Sequence, residues 1–271
     1  MNKVQIAWFG KYFWEEPVLV GNREQGTGAI FFSGCNLHCV FCQNYQISQE
    51  GRGKFYNVND LVDILLHLQE IGAVTIDLVS PTIWWEPIKE ALVLAKKKGL
   101  KIPIIWNSNS YEDVSVLKRL KGLVDIYLPD FKYGDDKIAW RYSGVKNYSS
   151  IAFKAIQEMF SQVGLLKLDD NSIAKKGIIV RHLILPSNTE NSFSVLKLLS
   201  QINKDIAVSL MNQYCPVYKA KDYPEINRKV IQEEFIKVLD YFSSLGFNNG
   251  WTQEDTDDTL LPDFQKKDPF K

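Results

Sequence analysis

The chain has 271 residues, 45% of them hydrophobic and 24% charged, with Lys plus Arg equal to Asp plus Glu at 32 each. This balance excludes a disordered chain and provides no global field to attract nucleic acid or an anionic membrane, so a partner has to be recognised at a site. No run approaches the roughly 18 apolar residues of a membrane span, and the first apolar stretch is too short for a signal peptide. The chain therefore reads as cytoplasmic, where clustered cysteines indicate metal or catalysis rather than disulfides.

Residues 1–27 read as an N-terminal extension whose aromatic run, "AWFGKYFWEE", is better explained by packing than by recognition. From residue 28 onward strand-like and helix-like segments alternate. The strand candidates are "GAIFF" (28–32), "VTIDLV" (74–79), "IPIIW" (102–106), "VDIYL" (124–128), "GIIVRHLIL" (177–185) and "IAVSLM" (206–211). They are short, branched and continuously apolar, as parallel strands buried on both faces are.

Amphipathic helices fall between them. Leu61, Ile64, Leu65, Leu68 and Ile71 form one stripe, with Asn57 or Asn59 as the cap and Gly72 as the stop. The next helix has Pro87 in its first turn and Gly99 after a lysine-rich end. Similar patterns cover 149–163, 190–203 and 227–245. Six strand-then-helix units predict an α/β fold, a partial (βα)6 TIM-like barrel, with an open doubly wound sheet as competitor. The expectation is a single domain over 1–271, with an irregular C-terminal tail from about 247. Trp251 and Leu260 in that tail are candidates to anchor a lid.

Parallel α/β folds build sites at the C-terminal ends of their strands. Here those ends carry Ser33-Gly34-Cys35, Ser80-Pro81-Thr82, Asn107-Ser108-Asn109, Asp130-Phe131-Lys132, Pro186-Ser187-Asn188 and Asn212-Gln213. Directly after the first strand, Cys35, Cys39 and Cys42 occupy eight positions, while Cys215 is remote. Thiolates suit zinc, copper(I) or iron-sulfur clusters. Structural zinc usually takes two pairs of close ligands, and His38 joining the three thiols would strain the loop. Three thiolates on a four-iron cubane leave one iron open to a small molecule.

The C-x3-C-x2-C spacing, Phe41 before the last cysteine, and its place after the first strand of a (βα)6 pattern resemble the radical S-adenosylmethionine superfamily. "DIYLPDFKY", "GIIVRHLILPSN", "SLMNQY" and "GFNNGWTQ" extend the resemblance to the subgroup related to pyruvate formate-lyase activating enzymes. It implies a 4Fe-4S cluster on Cys35, Cys39 and Cys42, with S-adenosylmethionine on the fourth iron. Reductive cleavage to a 5′-deoxyadenosyl radical would then abstract hydrogen from a protein or peptide substrate. It also implies an electron donor such as flavodoxin or ferredoxin.

Residue by residue, the resemblance places Asp130 and Lys132, a D-x-K pair, by the cofactor's amino acid. Ser80 and Thr82 stand where relatives carry a Gly-Gly-Glu stretch. Asn107, Ser108, Asn212 and Gln213 fall at ribose or adenine positions, and Phe41 beside the adenine. Arg181 and His182 interrupt an apolar strand, so one faces the lumen and the other the helices. Arg181 is assigned to the cofactor carboxylate. His182 is open between a core and a catalytic histidine, as Cys215 is between a rim residue and a substrate-side thiol. A radical enzyme on a small metabolite and a non-catalytic iron-sulfur or zinc protein are the competing functions.

Overall fold

The computed structural model describes residues 2–22, 24–253 and 261–271. Among the described residues there are ten strands: β1 (Lys3–Tyr12), β2 (Thr27–Phe32), β3 (Lys54–Asn57), β4 (Ile76–Val79), β5 (Ile104–Ser108), β6 (Ile126–Pro129), β7 (Lys167–Leu168), β8 (Ala174–Leu183), β9 (Ala207–Met211) and β10 (Gly250–Gln253). They form one sheet in the order β10-β9-β8-β6-β5-β4-β2-β1-β3, with β7 paired to β8. From β2 to β10 every neighbour is parallel and each follows the last in chain order. A doubly wound sheet reverses its strand order at a switch point. No reversal occurs along this path, so the architecture is a partial TIM-like barrel.

The helix Val58–Glu70 illustrates how sequence sets these elements. Asn57 and Asp60 form a reciprocal capping box, and Leu61, Ile64, Leu65 and Leu68 are buried against the sheet. Ile71 departs from the expected stripe: it is the C-cap and 40% exposed, because Gly72 at φ +85° ends the helix there. Trp85–Lys97, Tyr148–Val163 and Thr189–Ser200 follow the predicted pattern. The last predicted helix starts at Gln232 instead of 227, since Arg228 turns back to bind Glu234.

Two further findings concern the N-terminal extension and the tail expected to be irregular. Most of residues 1–27 is ordered by β1, which pairs antiparallel with both β2 and β3. In the tail, Gly250–Gln253 adds a seventh parallel strand beside β9. The tail segment lacks the continuous apolar run of a central strand, and pairing with the β9 edge supplies its order. Leu260 lies outside the described residues. No helix among the described residues is long and apolar enough to cross a membrane.

Candidate functional site

A cavity of about 300 Å³ opens at the C-terminal strand ends. Its wall includes Cys35, Cys39, Cys42, Phe41, Ser80, Asn107, Ser108, Asp130, Lys132, Arg181 and Gln213. The loop that carries the thiols is fixed by its backbone: His38 N donates to Ser143 O at 3.1 Å, Val40 N to Tyr142 O at 2.9 Å, and Cys42 N to Cys39 O at 3.2 Å. Polar groups also point at the sulfurs. Asn109 Nδ2 lies 3.3 Å from Cys35 Sγ, the Ser143 hydroxyl donates to Cys39 Sγ at 3.0 Å, and Ser48 Oγ is 3.3 Å from Cys42 Sγ.

The thiols make no disulfide. Among the described residues, no three His, Cys, Asp or Glu side chains stand close enough to share one metal ion. Burial and the adjacent Cys39 push the Cys42 thiol up to about 12, and the same causes raise Cys35. Buried thiols that resist ionisation become ligands when a bound cation favours the thiolate. Three soft donors on one wall, with hydrogen bonds available to the sulfurs, fit an iron-sulfur cluster.

Beside them lies a charged network. Asp130 accepts from Arg181 Nε at 2.7 Å through one oxygen and from Lys132 Nζ at 2.7 Å through the other. Arg181 also donates to Glu15 at 2.9 Å and to Asn107 Oδ1 at 2.6 Å. Asn107 Nδ2 lies 3.2 Å from Glu15 and 3.3 Å from Asp77. Burial alone would raise the Asp130 carboxyl, but Arg181 and Lys132 outweigh it and hold the group below the usual carboxylate range. At Asp77 burial and then Glu15 outweigh Arg181 and push the carboxyl well above that range. Burial and Glu15 also raise Glu16, whose Oε2 accepts from Trp251 and Gln253. The network thus holds the Asp130 carboxyl low while those of Asp77 and Glu16 are raised.

Other predicted residues take different places. Ser80 lines the cavity with φ at +57°, a left-handed backbone unusual for serine, where the resembling motif has glycine. Thr82 donates to Glu112 at 2.9 Å, and Glu112 holds the Trp106 indole; this supports the wall without lining it. Asn212 is absent from the lining, and its backbone N–H binds Gln253 O. Cys215 is half-buried and also outside the lining. His182 points the other way from Arg181, with Nδ1 2.7 Å from Phe131 O and Nε2 2.9 Å from Ser192 Oγ. Burial lowers it to about 4, as for a neutral core histidine with both nitrogens satisfied.

Tyr12, Trp14, Glu15, Glu16, Pro262 and Phe270 also line the cavity, and the sequence reading missed their role there. They come from the N-terminal hairpin and residues 261–271, which meet only in the fold. Phe264 N donates to Gln46 Oε1 at 2.6 Å, and Phe270 packs 4.7 Å from the Tyr12 ring centroid. These two segments therefore close part of the cavity wall. The only local signal was the aromatic run before Glu15 and Glu16.

The radical SAM superfamily model matches residues 29–165, just over half of the chain. An uncharacterized protein of Methanocaldococcus jannaschii is 35% identical over 236 residues, which cover 83% of this chain and 63% of that relative. The chain thus spans less than two thirds of that protein's length. A pyruvate formate-lyase-activating enzyme of Clostridium pasteurianum is 25% identical over 64% of this chain and 68% of its own. Among solved structures, Streptococcus suis SuiB bound to S-adenosylmethionine superposes with a TM-score of 0.58 at 18% identity, over 82% of this chain and 48% of SuiB, a likeness of fold. With the barrel topology and the thiol-lined cavity, the sequence match establishes that the chain belongs to the radical SAM superfamily, whose chemistry uses a 4Fe-4S cluster and S-adenosylmethionine.

Proposed function

We propose that this chain abstracts hydrogen from a protein or peptide substrate, as a radical enzyme of the activating-enzyme type. When bound, the cluster and S-adenosylmethionine supply a reductive cleavage that yields the 5′-deoxyadenosyl radical. Cys35, Cys39 and Cys42 would hold the cluster. The observation that carries this reading is the shared cavity of the three thiols and the Asp130–Lys132 pair at 2.7 Å.

Each remaining residue has a task set by its chemistry. Lys132 offers a cation to the cofactor carboxylate, and ionised Asp130 offers an acceptor to its ammonium. Arg181, with donors committed to Asp130, Glu15 and Asn107, orients these groups. Phe41, Ser80, Ser108, Asn107 and Gln213 provide ring, hydroxyl and amide contacts for the rest of the molecule. A flavodoxin or ferredoxin would deliver the electron.

The activating enzymes among the relatives and SuiB, solved with its precursor peptide SuiA, support a polypeptide substrate. A small metabolite is the second reading, favoured by Phe270 and Pro262 in the cavity wall. Anaerobic reconstitution with iron and sulfide, followed by dithionite and S-adenosylmethionine, tests the chemistry by chromatography of 5′-deoxyadenosine. Its formation supports radical cleavage. An intact cluster spectrum without product, in the presence of candidate substrates, favours a binding role.

A further inference from the structure

The cavity has two chemically different halves. One contains the thiols and the charged network. The other is aromatic, lined by Tyr12, Trp14, Phe31 and Phe270 with Pro262. The Phe270 ring centroid lies 4.7 Å from Tyr12, 5.3 Å from Phe31 and 6.3 Å from Trp14, the last pair stacked at 28°. Trp14 remains 50% exposed, a large apolar surface at the mouth of a polar site. Gln46 anchors residues 261–271 from the thiol side, accepting from Phe264 N and donating to Asp263.

S-adenosylmethionine carries its charges on the amino acid and the sulfonium, and the first half matches them. Phe41, whose ring packs against Tyr142 and Tyr214, is the aromatic group assigned to its adenine. That leaves the second half for another ligand. We infer that the wall formed by Tyr12, Trp14, Phe31 and Phe270 is the substrate subsite, and that it takes an apolar, ring-sized group. This rests on the proposed radical function and narrows its substrate class. Phe270 sets the depth of the subsite and Trp14 its entrance; aromatic faces offer apolar contact and edge-to-face packing to a substrate ring but little to a small polar one.

The test uses the full chain, both apo and reconstituted, with N-acetyl-phenylalaninamide and N-acetyl-alaninamide as probes in saturation-transfer NMR. The phenylalanine probe should receive saturation on its ring protons in both forms, and the alanine probe should not. Phe270→Ala and Trp14→Ala should each weaken the signal about fivefold. Phe270→Tyr should keep it, and near-UV circular dichroism checks the fold. If Phe270→Ala disturbs folding, Phe270→Leu with Trp14→Ala carries the comparison. No signal from the phenylalanine probe, or equal signals in wild type and both variants, would overturn the assignment. So would S-adenosylmethionine binding about tenfold weaker in Phe270→Ala, since that would make the wall the seat of the adenine. Apo binding does not depend on the cluster, so a failed cleavage assay is separable from a failed subsite.

Discussion

Arg181 Nη1 donates to Glu15 Oε1 at 2.9 Å, a contact between residues 166 positions apart. It ties the N-terminal segment to the β8 strand beneath the cavity. Both side chains are largely buried, 14% and 11% exposed. Removing one partner of a buried pair strands the other charge, at a cost of about 3 to 5 kcal/mol when nothing else compensates. Asp130 and Asn107 still hold Arg181, so Glu15→Ala should destabilise the apo protein by about 2 kcal/mol, and Glu15→Gln by less. Urea unfolding checks this; an unchanged midpoint would mean that Asp130 and Asn107 satisfy Arg181 without Glu15.

The cysteines give the most discriminating prediction. Cys35→Ala, Cys39→Ala and Cys42→Ala should each reduce the iron retained after reconstitution to below about a tenth of wild type, because the donors act together on one cluster. Cys215→Ala should retain full iron, since Cys215 is outside the cavity wall. Iron and sulfide analysis with the visible spectrum measures both. Loss of iron in the Cys215 variant would require a fourth ligand.

The parts of this protein that were legible in sequence are local. Cys35, Cys39 and Cys42 lie within one loop, and the central parallel strands are continuous apolar runs whose burial on both faces leaves a composition signal. Glu15, Glu16 and Phe270 gave no such signal beyond the aromatic run that precedes the two acids, because their role depends on contacts between distant segments. Asp77 had one: a lone acid inside "VTIDLV", which has to be neutralised or paired when buried. β10 was illegible because "GWTQ" lacks an apolar run and gains its order from the β9 edge. Alternation on β8 was enough to place Arg181 and His182 on opposite faces, but not to tell which partners each would meet.

Lys132 tests the polar half of the cavity. Its ammonium is 2.7 Å from Asp130, and that carboxylate holds its pKa up against burial. Lys132→Met keeps the length of the side chain and removes the charge. On the proposed cofactor role, S-adenosylmethionine should bind at least about tenfold more weakly, a loss of ~1.4 kcal/mol, with the cluster intact. Calorimetry on reconstituted protein reads the affinity and iron analysis the cluster. Unchanged affinity would remove Lys132 from the cofactor site.

His182 predicts a pH dependence of folding that is independent of the cofactor. Burial lowers its pKa from 6.5 to about 4, outweighing the Phe131 carbonyl, which accepts from the ring and favours the protonated form. The unfolded chain therefore binds the extra proton more readily between those values, and stability falls as pH drops through that window. From pH 7 to pH 5 this group alone should remove about 2 kcal/mol. Asp77 and Glu16 act in the opposite direction, since their raised carboxyls favour the folded state at lower pH. The comparison with His182→Gln isolates the histidine: the variant is less stable at pH 7 but loses about 2 kcal/mol less on acidification to pH 5. Denaturant unfolding of both apo proteins at the two pH values measures the difference, and parallel pH profiles would show that His182 is not held neutral by the fold.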